Sequence, residues 1–331
     1  MKILVTGSSG YIGNKLVNIL AEQGNEVHAF DISSSADHLL QHPNICIFKG
    51  DILNEESLAK AMNGCEQVYH LAGMVKYWSK NSNIFYRLHV GGTTNVLKTA
   101  LQLNVQKLVH TSTCGVWTPC NGYIYNENDP NISSFNNDYD LSKFLAEKTV
   151  KEYSLKGLFT VIVNPPRIYG PGQHRYSNGV SRFICQLLNN KISPLPWRLE
   201  AKGNYAFIDD VVNGHIQAME KGLNGERYIL GGENISYKEF IEIVKRITGV
   251  KNLFPRIHPF ISCAWAWIEL MRGKFCSHDP MITPHMVKRF EIDKLFDSSK
   301  AIRHLGYSIT PVEEGIRITI DYLKKNNYVH F

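Results

Sequence analysis

Leu4-Val5-Thr6-Gly7-Ser8-Ser9-Gly10-Tyr11-Ile12-Gly13-Asn14-Lys15-Leu16 is the stretch on which the reading of this chain turns. Met1 to Val5 is an apolar run long enough for one buried strand, and it breaks on glycines that recur at Gly7, Gly10 and Gly13. Past Gly13 the apolar positions Leu16, Val17, Ile19 and Leu20 fall into helical spacing. Strand, glycine turn and helix, in that order, aim free backbone N–H groups and the positive end of a helix dipole at one point in space. A phosphate or pyrophosphate is stabilised there. The glycines permit the tight turn, the approach of a ligand and the contact between helix and strand.

A glycine spacing alone is weak evidence, and its context strengthens it. Gly24-Asn25 ends the helix, and Glu26 to Asp31 reads as the next strand. Asp31 stands eighteen residues past Gly13, where an acid accepts both hydroxyls of an adenosine ribose. Strands and helices then alternate. Asn44–Gly50 reads as strand three, Glu55–Met62 as a helix, Gln67–Gly73 as strand four running into a loop, and Ile84–Leu103 as one long helix. Gln106–Ser112 reads as strand five, Pro119–Asn136 as a polar loop, Asn137–Leu155 as a long helix and Phe159–Val163 as strand six. This rhythm predicts an α/β fold, a Rossmann-type doubly wound parallel sheet with helices on both faces and ligands beyond the carboxyl ends of the strands.

With 331 residues the chain exceeds the size at which a single core stops growing. We expect a dinucleotide-binding domain over residues 1–165 and a smaller, mostly helical C-terminal substrate lobe over 166–331, with about 205–232 packing back on the sheet. The helical segments of that lobe are Phe183–Asn189, Asp209–Lys221, Tyr237–Thr248, Phe260–Arg272, Pro284–Phe290 and Val312–Lys325.

At 44% hydrophobic and 20% charged, with a net charge of +6 spread over scattered Lys and Arg, the composition offers no basic block for nucleic acid. No apolar run approaches the ~20 residues of a membrane span. The longest, Phe260–Met271, reads as a buried or pocket-lining helix. The first strand begins at the N-terminus, so no signal peptide is expected in front of it. Seven scattered cysteines without a CxxC pair fit a reducing, cytoplasmic compartment. His38 and His42 share a helical spacing but find no third ligand, so no metal is expected.

The chemistry-bearing segment is Tyr139-Asp140-Leu141-Ser142-Lys143. Residues at this spacing share a helix face. A phenol ionises near pH 10, and a neighbouring ammonium is expected to lower that value and make Tyr139 an acid/base group. Strand five ends in Thr111-Ser112-Thr113-Cys114-Gly115, which puts the hydroxyl of Thr113 or Ser112 at the catalytic edge of the sheet to orient a reacting oxygen.

Together these motifs make the chain resemble an extended short-chain dehydrogenase/reductase, of the superfamily that includes nucleotide-sugar epimerases and dehydratases. The resemblance covers nearly the full length. Thr6 to Gly13 matches the family's TGxxGxxG turn, Gly50-Asp51-Ile52 its adenine-contacting site, His70 to Gly73 its cofactor loop, and Asn164 to Gly172 the segment beside the nicotinamide. The resemblance implies Thr113, Tyr139 and Lys143 as the catalytic set. It implies Gly7, Gly10, Tyr11, Ile12, Gly13, Asp31, Asp51, Ile52, Leu71, Ala72, Gly73, Tyr139, Lys143, Pro165 and Ile168 as cofactor-binding, and Lys76, Cys114 and Arg167 as substrate-facing. Family members often dimerise through the two long helices, so a homodimer is implied as well.

Two departures matter. His89 stands where the family has an asparagine, and Gly203 to Asp210 lacks the arginine that binds a sugar-nucleotide diphosphate. Arg198, Arg175 or Arg182 could stand in for it. The segments Asp279 to Pro284 and Asp297 to Tyr307 resemble dihydroflavonol-reductase-like and 3β-hydroxysteroid-dehydrogenase-like members. The expected activity is therefore hydride transfer between a nicotinamide cofactor and a CH–OH or carbonyl carbon of a small apolar substrate. NAD is preferred over NADP because Asp31 repels a 2′-phosphate. The alternatives are a nucleotide-sugar epimerase or dehydratase with tightly held NAD, and a non-catalytic NAD sensor.

Overall fold

Buried apolar runs set the architecture. Strand β1 (Lys2–Thr6) has residues 3–6 buried, and β2 (Glu26–Asp31) and β4 (Gln67–His70) are buried along most of their lengths. Such strands require cover on both faces. The computed structural model describes residues 1–33, 42–130, 135, 137–172, 178–189, 197–250, 257–276, 280 and 282–329, so His38 and Arg175 lie outside the described residues.

The remaining strands are β3 (Ile45–Lys49), β5 (Lys107–Thr111), β6 (Ile124–Tyr125), β7 (Thr160–Asn164), β8 (Arg167–Tyr169), β9 (Lys202–Phe207), β10 (Arg227–Ile229), β11 (Glu233–Ser236) and β12 (Leu295–Phe296). A seven-stranded parallel sheet runs β10-β7-β5-β4-β1-β2-β3. The strand order reverses between β1 and β4, which opens a crevice at their carboxyl ends.

The helices are α1 (Tyr11–Glu22), α2 (Glu55–Met62), α3 (Asn83–Tyr86), α4 (Thr93–Gln102), α5 (Asp138–Leu155), α6 (Gly179–Leu188), α7 (Ile208–Lys221), α8 (Tyr237–Thr248), α9 (Pro259–Phe275), α10 (Pro284–Phe290), α11 (Ser299–Leu305) and α12 (Val312–Lys325). Leu16, Val17 and Leu20 of α1 join a core with Ile208 and Val212 of α7 and Ile316 of α12 on one face of the sheet. Leu58 and Met62 of α2, Val96 and Leu97 of α4 and Val150 of α5 cover the other face. Among the described residues no helix is long and apolar enough to cross a membrane.

Three features depart from the sequence expectations. The helix expected over Ile84–Leu103 is α3 and α4 joined by a π-helical turn at Arg87–Gly92. The polar loop after β5 contains β6, which pairs with β12 far along the chain. The C-terminal half also carries a second, three-stranded sheet, β11-β9-β8. On the far side of the main sheet, β2–β3 pairing sets Cys46 opposite His28, and these with Glu26 could share a cation, a grouping invisible in the spacing. The Glu26 carboxylate is already paired with Lys2 at 2.9 Å.

Three histidines are built into the core. His70 links Thr6 Oγ1 (2.8 Å) to Thr93 Oγ1 (3.0 Å), and His215 sits between the Val211 carbonyl (2.7 Å) and Thr111 Oγ1 (2.9 Å). His110, 1% exposed, has no hydrogen-bond partner at either ring nitrogen among the described residues. Burial pushes His70 down to about 3, His215 to about 4 and His110 well below the usual imidazole value, with Lys143 adding to the effect on His70 and His110. A histidine neutral in the fold gives its full stabilisation above the unfolded value near 6.5 and loses it as pH falls through that value. Stability by urea unfolding is therefore expected to fall below pH 6.5 by about 1.4 kcal/mol per pH unit for each such histidine. His110→Leu is expected to flatten that slope by one histidine's share; an unchanged slope would count against the burial of a neutral ring there.

Candidate active site

The glycine turn is shaped by contacts that admit no side chain. Gly7 has φ +72°, and a Cβ there would sit 2.7 Å from the Ala72 nitrogen. A Cβ on Gly13 would overlap the Gly7 carbonyl. Gly10 caps α1 without a side-chain hydrogen bond, and its own N–H donates to the Gly7 oxygen at 2.9 Å. The first-turn N–H groups of α1, at Tyr11, Ile12 and Gly13, therefore point out of the helix end without a cap. The Tyr11 side chain faces elsewhere: its hydroxyl donates to the Gly170 carbonyl at 2.9 Å and its ring lies against Gly172.

Around this turn the other expected cofactor residues gather at the strand ends. Asp31, at the end of β2, accepts from the N–H groups of Ser9 (3.0 Å) and Ser33 (2.9 Å), which ties the turn to the second strand. Asp51 Oδ1 accepts from Leu53 N at 2.9 Å, and Ile52 is buried against Gly92. Leu71 N donates to the Thr6 carbonyl (3.1 Å), and Ala72 N to the Thr6 hydroxyl (3.3 Å). The open side of Gly73 looks toward His89 and the Lys143 ammonium. The Pro165 carbonyl accepts from Cys114 N at 3.0 Å, and Ile168 packs at the rim of the core. A turn with no room for a Cβ, an uncapped helix end and a carboxylate at the tip of β2 fit a dinucleotide.

Helix α5 brings the chemical pair into place. Its N-cap Asn137 accepts from Asp140 N at 2.7 Å, and Asp138 and Asp140 favour the helix N-terminus. Tyr139 and Lys143 follow one turn apart, 7% and 6% exposed. Lys143 Nζ donates to the Thr111 carbonyl at 2.7 Å. Thr113 ends β5's loop as the cap of a short 3₁₀ turn, accepts from Gly115 N at 3.0 Å and reaches the Tyr139 phenol with its hydroxyl. Thr113 and Tyr139 thus meet at the carboxyl edge of the sheet, and the Lys143 ammonium, one helical turn on, lies beside Gly73. Ser112, the other hydroxyl considered, is buried with no partner for its Oγ among the described residues.

The phenol does not shift in the expected direction. Burial pushes Tyr139 upward, Tyr77 and Asp140 push the same way, and Arg289 and the Thr113 hydrogen bond pull back only in part. Burial lowers Lys143 to about 8, against a rise from Glu147. Desolvation outweighs the pull of the Arg289 guanidinium on the phenolate.

His89 occupies the π-helical turn and is 1% exposed. Its Nε2 accepts from Met74 N at 3.1 Å, which leaves the ring proton on Nδ1, 2.8 Å from Ser142 Oγ. The Ser142 hydroxyl in turn donates to the Tyr139 carbonyl at 2.9 Å. Burial, then Lys143, pushes His89 down to about 2, so it stays neutral. The chain Met74–His89–Ser142–Tyr139 fixes the loop after β4 to α5 and uses both ring nitrogens.

The substrate-facing expectations fare unequally. Arg167 lies with its guanidinium beside the rings of Tyr205 (5.5 Å) and Tyr237 (5.0 Å). Lys76 is half-buried in the loop after β4. Cys114 faces inward: it is 2% exposed, its thiol donates to the Asn164 carbonyl at 3.1 Å, and it packs with Val116, Trp117 and Phe296 in a small core cluster. Among the arginines that could serve a diphosphate, Arg198 is held by Asn121 Oδ1 (2.8 Å) and the Glu291 carbonyl (3.1 Å). Sequence reasoning missed Tyr77, Arg289 and Lys294, which tertiary packing brings next to Tyr139 and Asp140. No local pattern marked them.

Residues 3–231 match the NAD dependent epimerase/dehydratase family. A protein of Synechocystis sp., provisionally named dihydroflavonol 4-reductase, is 29% identical over 98% of this chain and 95% of its own length. A 3-beta-hydroxysteroid dehydrogenase of Mycolicibacterium neoaurum is 27% identical over 92% of this chain and 86% of its own. Among solved structures, a UDP-glucose 4-epimerase of Thermotoga maritima with UDP-glucose has the same fold, with a TM-score of 0.82 at 24% identity over 99% of this chain and 100% of that one.

The buried ammonium gives a test of the site's electrostatics. Burial holds Lys143 down at about 8, a cost of about 3 kcal/mol at neutral pH. The cost is fully present below pH 8 and fades as pH rises from there toward the unfolded value, because the unfolded chain then binds the extra proton. Lys143→Met is expected to unfold at higher urea than the parent at pH 7, with the gap closing toward pH 10. A constant gap across that range would contradict the burial of a strained ammonium.

Proposed function

The chain belongs to the NAD dependent epimerase/dehydratase family, and from that premise we propose that it is an NAD-linked oxidoreductase acting on a CH–OH or carbonyl carbon of a small, largely apolar molecule. The observation that carries this reading is the meeting of Thr113, Tyr139 and Lys143 beside a side-chain-free turn that fits a dinucleotide. The nicotinamide, when bound, supplies or accepts the hydride. Thr113 donates a hydrogen bond to the substrate oxygen. Tyr139 gives its phenolic proton to that oxygen in reduction and takes it back in oxidation. Lys143, held by the Thr111 carbonyl, supplies positive charge that favours the ionised phenol. His89 orients α5 and stays neutral.

Two of the relatives bear the names of a reductase and a dehydrogenase of polycyclic, weakly polar molecules, which favours the dehydrogenase reading over sugar-nucleotide chemistry. The segment Gly203 to Asp210 also lacks the diphosphate-binding arginine, and Arg198 is engaged elsewhere. The intact pair of Tyr139 and Lys143 weighs against a sensor without catalysis. Assembly as a homodimer through α4 and α5 belongs to the same reading.

Tyr139→Phe is expected to lower kcat by about 10²–10⁴-fold, the usual worth of a positioned proton donor. NADH affinity, followed by fluorescence titration, is expected to stay within about twofold, since the phenol proton is not needed to hold the dinucleotide. Undiminished turnover would remove Tyr139 from the chemistry. For the cofactor, Asp31 is expected to make NAD bind about tenfold more tightly than NADP, the worth of roughly 1.4 kcal/mol of repulsion. Asp31→Ser is expected to narrow that ratio, and a parent protein that prefers NADP would refute the role.

A further inference from the structure

The substrate side of Tyr139 holds more positive charge than its carboxylates balance. Arg289, on α10, stands 4.8 Å from the centre of the Tyr77 ring, and that ring packs edge-on against Tyr139 at 5.5 Å. Arg289 is paired with Asp140 at 2.7 Å. Arg167, on β8, lies between two tyrosine rings, and its Nη1 donates to the Tyr205 hydroxyl at 3.2 Å. Gly203 makes room for it, since a Cβ there would overlap that nitrogen. Lys294 is 6% exposed, and its Nζ has no hydrogen-bond partner among the described residues. Among those residues neither Arg167 nor Lys294 is ion-paired, and Asp140, the carboxylate that acts on Lys294, is already bonded to Arg289.

Burial pushes Lys294 well below its ordinary value. Arg289 and Arg167 push the same way, and Asp140 pulls back, which places all four within one electrostatic neighbourhood. A cation taken out of water without a partner, as Lys294 is, is held at a cost, and a fold gains nothing from it unless an anion enters. The planar fork of an arginine suits a carboxylate, which it can bind through two parallel hydrogen bonds.

We propose that Arg167, Arg289 and Lys294 form an anion site, and that the substrate is a largely apolar molecule carrying a carboxylate close to its reacting carbon. The position argues for closeness: Arg289 lies one aromatic ring, that of Tyr77, away from the phenol of Tyr139. A 3-hydroxy or 3-oxo acid has this arrangement. The inference rests on the oxidoreductase reading for where the reacting carbon sits.

The test uses the full-length protein saturated with NAD. Short- and medium-chain 3-hydroxyalkanoates and their methyl esters are titrated by calorimetry, and oxidation of each is followed at the same time. The acid is expected to bind at least about tenfold more tightly than its ester, and Arg167→Gln is expected to collapse that ratio toward one. Lys294→Met is expected to weaken the acid and to raise the melting temperature of the ligand-free protein, because it removes an unpartnered buried charge. Equal or better binding of the ester, binding of neither, or a ratio untouched by both substitutions would overturn the anion site. Oxidation of the ester in preference to the acid would overturn it and leave the oxidoreductase reading standing. Acid-selective binding with no turnover of either would keep the site and sink that reading.

Discussion

The closeness of α1 to the Gly7 carbonyl is the constraint on which the site depends. A single methyl at Gly13 would overlap that oxygen, and a methyl at Gly7 would strike the backbone at Ala72. First turn, first helix and the loop after β4 are therefore held at backbone contact distance. Thr6 completes the clamp: its hydroxyl meets Ala72 N and His70, and His70 reaches on to Thr93 of α4. The crevice between β1 and β4 is thus walled by backbone and small residues. An extended dinucleotide needs that kind of wall, and the helix that carries Tyr139 and Lys143 closes its far end.

Much of this was legible because the physics that produces it is local. Runs buried on both faces read as parallel strands, and helices with strong apolar spacing read to the residue: Glu55–Met62, Tyr237–Thr248 and Val312–Lys325 stand where their periodicity puts them. What stayed hidden depends on partners distant in sequence. The strands Ile124–Tyr125 and Leu295–Phe296 are two residues each and exist only because they pair. The strand Lys202–Phe207 reads lysine-glycine-asparagine at its start, yet most of it is buried between its neighbours. In the site, the glycine turn and the Tyr139–Lys143 pair are sequence-local motifs. Tyr77 comes from one segment, Arg289 and Lys294 from another some two hundred residues on, and they carry no pattern until the chain folds.

His89 shows how a departure from a family's usual residue can be absorbed. An imidazole is larger than an asparagine side chain, and the helix widens by a π turn where it stands. The ring accepts from Met74 N and donates to Ser142, so one tautomer satisfies both. Remaining neutral is part of the solution: a second positive charge beside Lys143 would oppose an ammonium already pushed down to about 8 by burial. In this chain the ring is a structural tie between the loop after β4 and α5.

Lys143 and Lys294 are both buried, and they are held under different conditions. Lys143 has the Thr111 carbonyl to receive one of its protons. Lys294 has no such acceptor among the described residues, and two arginines repel it. Replacement of a buried ion by an apolar side chain of similar size is often neutral or stabilising, so neither lysine is explained by folding. A side chain held against the interest of the folded state needs a return elsewhere, and stability traded at a site for binding or chemistry is the usual one. Lys143 lies toward Gly73 and the glycine turn, and Lys294 toward Arg289 and Arg167. On the oxidoreductase reading proposed above, each cost thus falls where a ligand would offset it, the cofactor for one and the substrate for the other.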